Sequence, residues 1–157
     1  MVATDGSSIG NPGPSGWAWV CADGRQDWAS ARHSTNNRME LMAVRELLRS
    51  IDDNPLLIQA DSQYVIGVFT EWLPVWRGRG MKTSSRKPVE NVDLILEIDD
   101  LLSERDVEWQ WVKGHVGHAL NEAADSLARH GAERARTMIE AGFLPTSESD
   151  PPRQTQR

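Results

Sequence analysis

Four carboxylates occupy positions that ordinary surface placement does not explain. Residues 36–51 carry Met39, Leu41, Ala43, Val44, Leu47, Leu48 and Ile51 at helical spacing. On a wheel of about 100° per residue, Glu40 falls inside the arc they define. A carboxylate facing a core is costly unless it is paired, protonated or bound to a cation. The alternative is a glutamate near a helix start that satisfies the first amides. Asp5 closes the apolar stretch Met1-Val2-Ala3-Thr4, and Asp61 closes Leu56–Ala60. Taken singly, Asp5-Gly6 is a turn dipeptide and Asp61 a natural N-cap. Asp125 lies in the first turns of an alanine-rich final helix, where an acid complements the dipole. Taken together, strand ends and helix starts of an α/β sheet converge on one rim. Four acids there repel one another, and such a site recruits hard divalent cations.

The histidines offer less. His115 and His118 have metal-like spacing but are expected in a loop beside Gly114 and Gly117, with no further nitrogen or sulfur ligand nearby. His118 suits a mobile proton carrier, given an unperturbed pKa of about 6.5. His33 and His130 read as structural, and Cys21, in an apolar strand, as core. Gly10, Gly13 and Gly16 do not have the G-x-G-x-x-G spacing of a phosphate loop and read as a hairpin turn.

The elements that must position these groups follow from periodicity. Strands are expected at Met1 to Thr4, Trp17 to Cys21 and Gln26 to Arg32, with Asp23-Gly24 turning the second hairpin. A helix over 36–51 and a doubly buried strand over Leu56–Ala60 come next. Helices at about 62–76 and 91–104 precede a strand in which Val107, Trp109 and Trp111 alternate with polar residues. The last helix runs from about Asn121 to Ile139. Strands first, then alternating helices and strands, give an α/β domain with a mixed sheet. That domain is expected over 1–142, with a disordered polar tail over 143–157.

The chain's 157 residues suit one domain, and 39% apolar with 25% charged residues is a globular balance. The net charge is −6, yet residues 77–87 hold five bases and no acid, leaving −11 for the rest. This describes a basic projection on an acidic body, or two surfaces of opposite sign. A solvated basic loop is the plain alternative. No apolar run approaches the roughly 20 residues of a membrane span. The N-terminus lacks the pattern of a secretory signal. One cysteine excludes an intrachain disulfide, so a reducing, cytoplasmic setting is expected.

Five ordered motifs carry a resemblance: Thr4-Asp5-Gly6-Ser7 with Gly10-Asn11-Pro12-Gly13; Thr35-Asn36-Asn37-Arg38-Met39-Glu40-Leu41; Asp61-Ser62-Gln63-Tyr64-Val65; Trp111-Val112-Lys113-Gly114-His115; and Gly117-His118 with Asn121-Glu122-Ala123-Ala124-Asp125. Over about residues 1–140 the chain closely resembles type 1 ribonuclease H. The resemblance implies a ribonuclease H-like fold, a five-stranded mixed sheet flanked by helices. It implies endonucleolytic hydrolysis of the RNA strand of RNA–DNA hybrids, leaving 5′-phosphate and 3′-hydroxyl ends. By motif, Asp5, Glu40, Asp61 and Asp125 would hold two Mg²⁺, for which Mn²⁺ can substitute, and His118 would be the loop histidine. Two such ions roughly 3.5–4 Å apart can activate the attacking water and stabilise the leaving oxygen.

Asn11, Asn36, Asn37 and Gln63 flank the acids and are placed to read the 2′-hydroxyl, the group that separates RNA from DNA. Thr35 resembles a DNA-phosphate contact. Trp72, Trp76, Arg77, Arg79, Lys82 and Ser84 resemble a basic protrusion that holds the DNA strand. A monomer with a hybrid duplex as partner is expected. Three features depart from the family pattern: a short first strand, Pro74 inside a helix, and Met81 where an aromatic often stands. A catalytically silent hybrid-binding module, or a DNA nuclease or recombinase of the same fold, are the competing functions.

Overall fold

The computed structural model describes residues 1–114 and 117–143, together with the backbone of Arg153–Gln154. The chain runs β1 (Val2–Ser8), β2 (Gly13–Cys21), β3 (Gln26–Ser34), α1 (Asn36–Ser50), β4 (Leu56–Ala60) and α2 (Gln63–Gly67). It continues through a π-helical turn (Val68–Trp72) to α3 (Leu73–Gly78), α4 (Val92–Leu102), β5 (Val107–Trp111), α5 (Ala119–Glu140) and β6 (Arg153–Gln154). The sheet order is β5-β4-β1-β2-β3-β6. β1, β2 and β3 are antiparallel neighbours, while β4 runs parallel to both β1 and β5. The expected five-stranded mixed sheet is thus present.

β6 adds two residues at the outer edge, pairing with Trp28 and Ala29. Part of the tail expected to be disordered therefore lies along the outer edge of β3. Residues 144–152 and 155–157 of that tail lie outside the described residues.

Alternation along β1 and β2 divides the interior. Val2, Trp17, Trp19 and Cys21 face α1, packing with Met39, Leu41, Ala43, Val44 and Leu47. Ala3, Ala18 and Val20 face α5, meeting Ala124 and Ala128. The alanine-rich face of α5 lets it sit unusually close to the sheet. A Cβ on Gly16 would lie 2.4 Å from the Ala128 carbonyl oxygen, so only glycine fits there.

Two expectations need correction. Asp5 does not end the first strand: β1 continues to Ser8 because β2 supplies an antiparallel partner as far as Ser15. The short lead-in is thereby offset by a seven-residue ladder. On its other edge, however, β1 stops pairing with β4 at Ala3–Gln59, so Asp5 still lies beyond the parallel ladder. Around Pro74 the expected helix over 62–76 is interrupted. Proline offers no amide to bond four residues back. The chain passes through the π turn just before it, where the Leu73 amide bonds Val68 O, and Pro74 then sits in the first turn of α3.

Candidate active site

Asp5 comes from the middle of β1, Glu40 from the first turns of α1, and Asp61 from the residue after β4. Each offers a carboxylate oxygen, and the three atoms lie within 4.8 Å of one another. Asp125, on α5, joins them through a hydrogen bond with Asp5. It also pairs with Arg129, one helical turn on, at 3.2 Å. The structure therefore brings all four sequence-identified acids together.

Close approach of β1 to α1 makes this possible. A Cβ on Gly6 would lie 2.5 Å from the Glu40 amide nitrogen, so only a glycine can follow Asp5. The Gly6 amide in turn donates to the Glu40 carboxylate. At Asp61 the helix cap falls to the next residue: Ser62 Oγ accepts the Val65 amide at 3.2 Å. Asp61 is therefore not the N-cap its sequence position allowed. Its backbone oxygen accepts from Trp111 Nε1 at 3.2 Å. A Cβ on Gly114 would lie 3.0 Å from Asp61 Oδ2, so the loop after β5 leaves the sheet at the acids.

Burial raises the carboxyls of Asp5 and Glu40 well above the usual carboxylate range, and neighbouring acids add to the shift. Glu40 Oε2 is buried and has no partner. An all-oxygen donor set with an unpaired buried oxygen fits a hard divalent cation and gives no nitrogen or sulfur for zinc.

A pH dependence follows. Both folded-state values exceed the unfolded ones of about 4, so the stability they contribute is present at low pH and is lost as pH rises through the folded values. Melting in EDTA should fall between pH 5.5 and pH 8, Mg²⁺ should restore more at pH 8, and Asp5→Asn should flatten the profile. The lowered Asp23, Asp53 and Asp93 carboxyls change charge only at more acidic pH. A profile equally steep in Asp5→Asn would mean that the acid pair is not its source.

The other sequence-identified residues form distinct groups. Thr35 is the N-cap of α1, its Oγ1 accepting the Arg38 amide at 3.2 Å. Asn11 Oδ1 accepts the Asn36 amide at 3.0 Å. These capping bonds gather Asn11, Thr35, Asn36 and Asn37 at one helix start. Gln63 is exposed at the start of α2, two residues from Asp61. Trp72 and Trp76 lie 6.0 Å apart, centroid to centroid. Arg79, Lys82 and Ser84, with Thr83 and Arg86, line one basic groove of 390 Å³. Arg77 stands apart from it, paired with Asp99 on α4. Met81 packs partly buried against the core, and its backbone bonds Trp76 and Val89 anchor the loop.

His118 is the N-cap residue of α5 and its side chain caps nothing. His115 lies outside the described residues. Sequence reasoning missed the Arg38 clamp, which bonds Asp93 through two nitrogens at 3.0 and 2.8 Å and Asn91 at 3.3 Å. Asn91 reaches on to Tyr64 at 3.2 Å, tying α1 to α2. Its partners are 53 and 55 residues from Arg38, a separation that no local pattern signals.

With the acids and their supports in place, the RNase H family model matches residues 1–133. The chain belongs to the RNase H family. It is 48% identical over 139 residues to a ribonuclease H of Tropheryma whipplei, covering 87% of this chain and 86% of that protein. The solved structure of LC9-RNase H1, a type 1 RNase H with the type 2 active-site motif, superposes with a TM-score of 0.73 at 34% identity. That match covers 85% of this chain and 72% of the other. A foamy viral protease-reverse transcriptase in complex with RNA/DNA hybrid matches at a TM-score of 0.72 and 26% identity, over 85% of this chain and 20% of that one. As an RNase H, the chain is a divalent-metal-dependent endonuclease that hydrolyses the RNA strand of RNA–DNA hybrids. No helix among the described residues is long and apolar enough to cross a membrane.

Proposed function

We propose that Asp5, Glu40, Asp61 and Asp125 hold two Mg²⁺, replaceable by Mn²⁺, and that hydrolysis leaves 5′-phosphate and 3′-hydroxyl ends. The observation that carries this is the meeting of three carboxylates within 4.8 Å around an unpartnered Glu40 oxygen. When bound, the ions supply an activated water and charge stabilisation for the leaving oxygen. The chain's own residues set the geometry. Gly6 holds Glu40 against β1, and Trp111 fixes the Asp61 backbone. Asn36, Asn37, Asn11 and Gln63 flank the acids and read the 2′-hydroxyl. Thr35 meets a DNA phosphate; Trp72, Trp76, Arg79, Lys82 and Ser84 hold the DNA strand, with Arg77 at its border. The working unit is a monomeric domain over 1–142 acting in the cytoplasm, with 143–157 as a polar C-terminal tail. Mg²⁺-dependent assays on hybrid, duplex DNA and duplex RNA test the reading. Cleavage of the hybrid alone supports it, and equal cleavage of duplex DNA overturns it.

His118 moves a proton without holding the ions. His118→Ala is expected to lower kcat roughly 10–10²-fold with little change in KM. His115→Ala is the informative companion, because residue 115 directly follows Gly114, where an added Cβ would lie 3.0 Å from Asp61 Oδ2. A loss in His115→Ala with His118→Ala at wild-type rate would move the role to His115. A collapse of metal affinity in His118→Ala would show a ligand instead.

A further inference from the structure

Asn121 is fully buried, and neither its Oδ1 nor its Nδ2 has a partner. Leaving a buried amide unpaired is costly, and an apolar residue of the same shape would avoid that cost. The position is otherwise built for apolar contact. Asn121 heads the stripe Ala124, Ala128 and Ala132 with which α5 packs on the sheet. Ala124 meets Ala3 of β1, and Asp5 is the next residue on that face of the strand. Asp125 follows Asn121 by four residues, so their side chains are neighbours on the helix. The unpaired amide thus lies beside the acid that α5 contributes.

Asp125 is engaged differently from the other acids. Its carboxylate pairs with Arg129, on the side away from Asn121, as well as meeting Asp5. Holding a cation requires that carboxylate to give up Arg129 while it stays beside Asp5, and the oxygen so released needs a donor to fix it. Groups that orient metal ligands typically change affinity or activity by about 10–100-fold when removed.

We propose that Asn121 is a positioning residue for Asp125, its Nδ2 donating to the Asp125 carboxylate when a divalent cation draws it from Arg129. The proposal rests on the metal-site reading above. It explains why an amide is kept at an apolar position: its partner arrives with the cation.

The test compares Asn121→Leu with wild type in the full chain. Three readouts are taken: melting temperature in EDTA, Mn²⁺ affinity by calorimetry, and kcat and KM on hybrid. Expected is an unchanged or raised melting temperature, Mn²⁺ affinity weakened roughly tenfold, and lower kcat with KM for hybrid unchanged. Gains in stability alongside losses in function are not what a purely structural residue gives. Asn121→Ala, which removes the amide without added bulk, is titrated in parallel should Asn121→Leu fail to fold. Wild-type Mn²⁺ affinity and kcat in whichever variant folds would overturn the proposal. So would a large fall in melting temperature with Mn²⁺ affinity intact, since the amide would then serve the fold alone. Failure of the wild-type chain to bind Mn²⁺ would instead overturn the metal-site reading itself.

Discussion

Asp61→Asn is expected to abolish hybrid cleavage by several orders of magnitude while the fold and hybrid binding survive. The substitution is nearly isosteric and removes one charge from a group of four acids. Ser62, not Asp61, caps α2, so the helix loses no cap. The asparagine keeps a backbone oxygen for Trp111 Nε1. Relief of repulsion among the acids should leave the metal-free protein as stable as wild type or more so. What disappears is the negative charge on which cation binding depends. Single-turnover cleavage, melting in EDTA and hybrid affinity in Ca²⁺ together measure this. Near wild-type turnover would remove Asp61 from the site. Loss of folding would mean that the carboxylate has a structural task the geometry does not display.

Replacing Arg79 and Lys82 with Gln is expected to flatten the salt dependence of hybrid binding by about 2. Each phosphate contact contributes up to about 0.9 to the slope of log affinity against log salt on B-form DNA. The run reads from sequence as three equivalent contacts at Arg77, Arg79 and Lys82. The structure separates them, since Arg77 is committed to Asp99 while the other two share a groove. Adding Arg77→Gln to the pair should therefore change the slope further by much less than one contact. KM should rise steeply at physiological salt, and kcat at saturating hybrid should hold, because these residues are remote in the chain from the acids. The measurement is a salt titration in Ca²⁺, chosen to permit binding without turnover. Parallel lines for variant and wild type would make the run a solvated loop.

Glu40 was the most legible residue in the sequence, because an acid inside an apolar helical arc is a local contradiction that only tertiary context resolves. The strand at Trp17 to Cys21 was legible as well, but which of its residues face α1 and which face α5 is seen only once the helices are packed. Asp5 and Asp61 were ambiguous alone, since turn and cap chemistry explains each. The cap ambiguity at Asp61 dissolves only when Ser62 is seen to take that task. What sequence could not supply is distance between elements. The Gly6 contact with α1 and the Arg38 clamp to α4 depend on chain segments tens of residues apart. The extension of β1 past Asp5 was hidden because strand length is set by the partner strand, not by the strand's own residues. The π turn before Pro74 was foreshadowed by the proline, but its form follows from the missing amide.

If the clustered acids hold cations that activate water against the RNA strand, an oxygen of that water must appear in the product. The most direct test is the chemistry of the product ends after cleavage of hybrid in ¹⁸O-labelled water, with Mg²⁺ and with EDTA. Strictly Mg²⁺-dependent cleavage, 3′-hydroxyl ends, and one labelled oxygen in each new 5′-phosphate are expected. Cleavage that persists in EDTA and leaves 2′,3′-cyclic phosphate ends would contradict this expectation, because the ribose hydroxyl, not water, would then be the nucleophile.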